Sequence, residues 1–245
     1  MQSVTTGYKI TASIARESGA RHSAVMSLTK SLRAAVVPVT QYRQNCALLW
    51  DEASGAGVVV DPGGDVPRIL DAVAQSGMRP ERILLTHGHF DHAGGAAAVR
   101  EALGVPVEGP DRRDAFLLDS LATDGPARGL PDARTVTPDR WLAEGDEVAF
   151  GPHRMRVLHT PGHTPGHIAF IHDEERFALV GDVLFRGGIG RTDIPRGDLK
   201  TLLASIRDKL MPLDDEVSFL CGHGPGSTIG RERRANPFVR QALSA

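Results

Sequence analysis

Short apolar runs and longer amphipathic stretches alternate along most of the 245-residue chain. The runs "RAAVVPV", "NCALLW" and "GAGVVVD" are rich in aliphatic residues and predict three strands that end at the turn "DPGGD". After that turn, "VPRILDAVAQSG" repeats apolar residues at helical spacing and predicts a helix capped by Asp65 and closed at Gly77. A strand over "RILLT", a helix over "AGGAAAVREALG" and a short strand over "VPVEG" follow. The stretch "LATDGPARGLPDARTVTPDRW" is dense in Pro, Gly and Asp and predicts a surface loop. Beyond it lie strands "DEVAF", "RMRVLHT", "HIAFIH" and "RFALVGD", a helix "DLKTLLASIRDKL", a strand "EVSFLCG" and a short C-terminal helix from Ile229. Strand runs with helices at intervals predict an α/β fold of two packed sheets with helices outside. Strand-then-helix order occurs twice, without a repeat visible as sequence identity.

The opening 33 residues break this pattern. They are rich in Ser, Thr and basic residues, carry one acid, Glu17, and sustain no periodicity. The expected organisation is a disordered leader over 1–32 and one catalytic domain over 33–245, with Met26 as an alternative start. No apolar core of a secretory signal is present, so the expected location is the cytoplasm, with an organelle address as the lesser alternative.

Composition narrows the partners. With 41% hydrophobic and 24% charged residues the chain reads as globular, and no apolar run is long enough to cross a membrane. A net charge of -2 gives no reason to expect nucleic acid or an anionic membrane as partner, and the locally basic tail "GRERRANPFVR" reads as a solvated helix face. Cys46 and Cys221 are too few and too far apart for a disulfide framework or a cysteine-built zinc site, and read as buried small hydrophobes.

The chemistry concentrates in "LLTHGHFDHAGG". His87 and His89 leave an apolar strand in extended chain, where side chains two apart point the same way and can hold one ion. Asp91 and His92 fall where the chain turns into a helix and can hold a second. Two coordination shells need further donors at strand ends. "LHTPGHTPGHI" supplies a histidine, for which spacing leaves His159, His163 and His167 open, "LVGDVLF" supplies Asp182, and "FLCGHGPGS" supplies His223. Imidazole and carboxylate donors suit zinc, iron or manganese, and Asp182 is the expected bridge between two ions. His153 and His172 read as ordinary surface or satisfied polar residues.

With these residues in place, the chain resembles the metallo-β-lactamase superfamily over roughly residues 33 to 240, through His-x-His-x-Asp-His at His87, His89, Asp91 and His92. The family's Pro-Gly-His context matches "PGHTPGH" and puts the ligand on His163, and its later Asp and Gly-His match Asp182 and His223. The resemblance implies an αββα sandwich of two mixed sheets with helices on the outer faces and metals at one edge. Many true β-lactamases carry cysteine at the position of Asp182, which argues against that activity. "VVDPGGD", "GRTDIPRGD" and "GHGPGSTIGRERRANPF" are similar to the short form of the glyoxalase II-like hydrolases.

That likeness implies a first site of His87, His89, His163 and Asp182 and a second of Asp91, His92, Asp182 and His223. It also implies a brace behind the metal loop at Asp61, with a plain strand-ending turn as the alternative, and a substrate contact at Arg191, with a loop arginine paired to Asp193 as the alternative. Full-length glyoxalase II has a further helical domain for glutathione, whereas this chain ends 22 residues after His223. The implied cofactors are two divalent ions, zinc first, with iron and manganese as alternatives. Paired ions about 3.5 to 4 Å apart lower the pKa of a shared water from 15.7 to about 7 and so supply hydroxide. The expected substrate is a small thioester of the S-lactoylglutathione type, with Asp91 orienting the nucleophile or taking its proton. The rival expectation is a persulfide dioxygenase that uses one iron.

Overall fold

Apolar runs without polar alternation need cover on both faces of a sheet. The computed structural model, which describes residues 24–27 and 31–244, shows how they receive it. The first sheet holds six strands in chain order: β1 (Ala24–Ser27), β2 (Leu32–Val39), β3 (Gln44–Asp51), β4 (Ala56–Val60), β5 (Arg79–Leu84) and β6 (Val107–Glu108). β1 to β4 pair antiparallel, and β5 pairs parallel with both β4 and β6. A parallel pair needs a crossover. Helix α1 (Val66–Ser76) makes the one from β4 to β5, and α2 (Phe90–Ala93) with α3 (Ala96–Leu103) the one from β5 to β6.

Helix α4 (Ala115–Ala127) leads toward the second sheet. There β7 (Glu147–Phe150), β8 (His153–His159), β9 (Ile168–His172) and β10 (Phe177–Leu179) form an antiparallel meander. A small hairpin, β11 (Leu184–Phe185) with β12 (Gly188–Ile189), and helix α5 (Leu199–Ser205), continued by a π-helical turn over Ile206–Leu210, lead to β13 (Ser218–Leu220). β13 lies parallel to β10, β14 (Ser227–Thr228) pairs with it, and α6 (Ile229–Ala235) and α7 (Pro237–Ser244) follow. Each half is thus an antiparallel meander extended by parallel pairing, through β5 and β6 in the first sheet and through β13 in the second, where antiparallel β14 forms the edge.

Alternation along the strands sorts the side chains into layers. In β3, Ala47 and Leu49 enter the core between the sheets with Leu84, Phe150 and Phe170, while Cys46, Leu48 and Trp50 pack under the first helices with Ile69, Val73 and Val99. In β9, Ile168 and Phe170 face the other sheet, and Ala169 and Ile171 meet Leu202, Ile206 and Val239 of the outer helices. The result is the expected αββα sandwich of two mixed sheets.

Several local expectations change. Asp65 stands at the N-cap of α1 with φ 48°, but its carboxylate accepts the Thr40 N–H at 2.6 Å and does not cap the helix. The single helix expected over 93–104 is two, α2 and α3, separated at Gly94 and Gly95. The loop expected from Leu121 starts inside α4, where Leu118 and Leu121 are buried one turn apart and Pro126 sits in the last turn, at the cost of a single helical bond. Most of the expected leader lies outside the described residues, yet Ala24–Ser27 form β1 and pair with Arg33–Val36, and Leu32 is buried, so strand structure begins before residue 33. No helix among the described residues is long and apolar enough to cross a membrane.

The tail is not simply a solvated face either. Arg231 and Arg234 are exposed, but Glu232 and Asn236 are buried. Asn236 donates from Nδ2 to the carbonyls of Phe185 and Gly188 at 3.3 and 3.0 Å, and Glu232 accepts the Gly187 N–H at 2.7 Å. The tail therefore pins the β11–β12 hairpin that follows Asp182.

Candidate metal centre

The side chains expected to bind metal converge at one edge of the sandwich, at the ends of β5, β10 and β13 and in the loop between β8 and β9. Nδ1 of His89 lies 3.0 Å from Nε2 of His87 and 3.0 Å from Nε2 of His163. On the other side, Nε2 of His223 lies 3.3 Å from Oδ2 of Asp91, and Asp91, His92 and His223 bring one ligand atom each into a group within 4.8 Å. Asp182 stands between the two groups. Its Oδ1 is 3.4 Å from Nε2 of His92, and its Oδ2 is 3.6 Å from Nε2 of both His163 and His223.

Hydrogen bonds behind the rings decide which nitrogen faces the centre. Nδ1 of His163 meets the carbonyl of Arg191 at 2.8 Å and Nδ1 of His223 meets that of Tyr42 at 3.2 Å. A carbonyl only accepts, so Nδ1 carries the proton and Nε2 offers its lone pair inward. His92 is fixed likewise by Asp61, whose Oδ2 is 2.9 Å from Nδ1. The Thr86 hydroxyl donates to Asp61 at 2.6 Å and accepts from Nδ1 of His87 at 3.0 Å, so His87 also turns its Nε2 lone pair inward. Nδ1 of His89 faces two such lone pairs and can donate to only one of them. Nε2 of His92 and Oδ1 of Asp182 are buried without a hydrogen-bond partner. Converging lone pairs and orphaned buried donor atoms suit a cation rather than one another, so the residues fit divalent metals.

The surrounding charges sort the rings into two groups. Burial drives His87, His89 and His163 below the ordinary imidazole range, His89 to about 3, and the repulsion between rings adds to this at His87 and His89. Burial pulls His92 the same way, but Asp182, Asp61 and Asp91 outweigh it and hold that ring well above its usual range. His223 is raised against burial by Asp91 and Asp182. Burial would raise Asp91 and Asp182, yet the surrounding imidazoles hold both below the usual carboxylate range.

The three histidines that spacing left open separate by their partners. His163 faces the centre. His167 accepts the Asp182 N–H on Nε2 at 3.0 Å and meets the Thr160 hydroxyl through Nδ1, so it holds the backbone of Asp182. His159 bonds to the Pro165 carbonyl at 2.9 Å. Asp61 accepts the Thr86 N–H at 2.7 Å and sits behind His92, on the side away from the centre. Arg191 brings its carbonyl to His163, but its guanidinium is exposed and paired with Asp193 at 2.9 Å, the geometry of the plainer alternative. His153 and His172 are not on the surface: both are buried, 3.0 Å apart through Nδ1 and Nε2, with Asp51 3.5 Å from Nε2 of His153.

Sequence reasoning missed the supporting residues. Tyr42 and Thr86 act through a carbonyl and a hydroxyl at positions with no motif of their own. Asp114 is buried and bonds to both ligand loops, and nothing in "PDRRD" marks it beyond an Asx residue before a helix.

Fold and site together define a metal-dependent hydrolase. The chain belongs to the metallo-β-lactamase superfamily, whose profile matches residues 39–223. It is 45% identical over 205 residues to Hydroxyacylglutathione hydrolase GloC of Haemophilus influenzae, covering 83% of this chain and 96% of that protein. Among solved structures it is similar to BLEG-1 B3 metallo-β-lactamase, with TM-score 0.77, 36% identity and coverage of 84% and 99% of the two chains. A di-iron-bound form of TTHA1623 is similar with TM-score 0.75, 40% identity and coverage of 83% and 98%. ETHE1 from Myxococcus xanthus is similar with TM-score 0.68, 26% identity and coverage of 85% and 88%.

Proposed function

We propose that this hydrolase cleaves S-acyl thiols of the S-lactoylglutathione type, releasing a hydroxy acid and a thiol. The observation that carries the reading is Asp182, whose carboxylate lies within 3.6 Å of imidazoles from both ligand groups. One divalent ion is assigned to His87, His89, His163 and Asp182, and a second to Asp91, His92, Asp182 and His223. Zinc is the first choice. Iron and manganese suit the same donors, and the di-iron form of TTHA1623 supports iron. The likeness to GloC supports the substrate class, and a cytoplasmic setting suits two unpaired, buried cysteines.

When bound, such an ion pair supplies hydroxide at neutral pH and polarises the carbonyl under attack. The chain's own groups do the rest. Asp91, held ionised beside His223, is assigned the role of orienting the attacking water or taking its proton. Asp61, the Arg191 carbonyl and the Tyr42 carbonyl keep His92, His163 and His223 in the ligand tautomer. A thiolate leaves readily, so the reaction needs no strong general acid. Arg191 reaches a substrate carboxylate only by leaving Asp193, and an exposed pair of that kind is weakly held.

A second reading, a persulfide dioxygenase with one iron, is kept because of the likeness to ETHE1. One experiment separates the two: hydrolysis of S-lactoylglutathione and oxygen uptake with glutathione persulfide on the same preparation, with a β-lactam as control substrate. Thioester hydrolysis without oxygen uptake is the expected result. Oxygen uptake with no hydrolysis overturns the proposal.

A further inference from the structure

The two ligand loops of the first ion come from different sheets. His87 and His89 leave β5 of the first sheet, and His163 lies between β8 and β9 of the second. Asp114, which precedes α4 and belongs to neither sheet, bonds to both loops. Its Oδ2 accepts the Gly88 N–H at 3.0 Å and the Thr164 hydroxyl at 2.7 Å, and its Oδ1 accepts the Gly166 N–H at 2.6 Å. Gly88 sits between His87 and His89, and Thr164 follows His163.

Packing explains the glycines inside the two motifs in the same terms. A Cβ on Gly166 would stand 2.5 Å from the Asp114 nitrogen and 2.7 Å from its Cγ, and one on Gly88 would stand 2.7 Å from Cβ of Leu117 in α4. Each loop carries a glycine where the segment around Asp114 docks. Burial pushes the Asp114 carboxyl up to about 6, against the three hydrogen bonds that favour the ion, so at neutral pH it is an ionised acceptor for all three donors. The second ligand group has supports of its own, since Asp61 holds His92 and the Tyr42 carbonyl holds His223.

We infer that Asp114 is a positioning residue of the metal centre, setting the spacing of His87 and His89 against His163 and so the affinity for the first ion, with little hold on the second. The inference rests on the two-ion reading proposed above. It differs from a general structural role in being asymmetric between the two ligand groups.

Zinc affinity, measured by chelator competition on the full chain, tests that asymmetry in two backgrounds. His223→Ala keeps His87, His89, His163 and Asp182, and adding Asp114→Ala there is expected to weaken zinc about 10- to 100-fold, the usual effect of losing an outer partner of a metal site. His163→Ala keeps Asp91, His92, Asp182 and His223, and the same addition is expected to leave its affinity unchanged. Asp114→Asn keeps one acceptor oxygen and is expected to fall between. If Asp114→Ala does not fold, Thr164→Val removes one of the three bonds and is expected to give a smaller loss, again confined to the His223→Ala background. Equal loss in both backgrounds, or no loss in either, overturns the inference. Should His163→Ala bind no zinc even with Asp114 intact, the two-ion reading fails, and Asp114 is then judged on the His223→Ala background alone, where the loss is still expected.

Discussion

Nδ1 of His92 stands 2.9 Å from Oδ2 of Asp61, and both side chains are buried. The carboxylate fixes the ring so that Nε2 points at Asp182, and its other bonds, to the N–H and hydroxyl of Thr86, tie it to the base of the loop bearing His87. Asp61→Asn puts an amide where an acceptor faces these donors. It is expected to cost about 10- to 100-fold in metal affinity, the usual effect of a ligand's outer partner. Chelator competition against the parent protein checks this, and an unchanged affinity would show that Asp61 is only a turn residue.

The metal-binding motif was legible because its information is local. His87 and His89 share a direction through the two-residue period of extended chain, and the strand before them is an uninterrupted apolar run. The choice among His159, His163 and His167 was not local. It depends on which ring meets Asp182 by its backbone and which by its carboxylate, and family resemblance rather than spacing pointed to His163. Asp114 was invisible for a stronger reason: its donors lie 26, 50 and 52 residues away in chain, in loops that meet only after both sheets form. Helix α4 was hidden by composition, because the Gly-Pro pair at its end outweighed the one-turn spacing of Leu118 and Leu121.

The His153–His172 pair gives a pH dependence separate from catalysis. Burial, with His153 adding to it, holds His172 below the ordinary imidazole range, partly offset by Glu175, Glu174 and Asp173, and Asp51 faces the far side of His153. A histidine whose folded pKa is lowered takes up fewer protons folded than unfolded. Its contribution to stability is therefore whole above about pH 6.5 and is lost as pH falls below that toward the folded value. His172→Gln is expected to shrink the drop in urea midpoint between neutral pH and pH 5. An equal drop in variant and parent would contradict the assignment.

Cys221 lies next to the centre in sequence but not in chemistry. Its thiol is buried, pushed up to about 12 by burial, and lies 3.1 Å from the His223 carbonyl, to which it donates. Cys221→Ser is expected to keep hydrolysis near the parent rate, and thiol reagents are expected to leave the native protein unlabelled at pH 8. Rapid labelling of Cys221, or a large loss of activity in the serine variant, would mean that the thiol takes part.

Asp182 is the carboxylate proposed to serve both ligand groups at the edge of the sandwich. The most direct test is metal content by elemental analysis of the parent and of Asp182→Ala, both purified without added metal, with circular dichroism as the check on folding and thioester hydrolysis measured alongside. The parent is expected to hold about two ions per chain, the stoichiometry of a two-metal hydrolase. The folded variant is expected to have lost its activity and most of its metal. Retained turnover in Asp182→Ala with full metal content would contradict the claim.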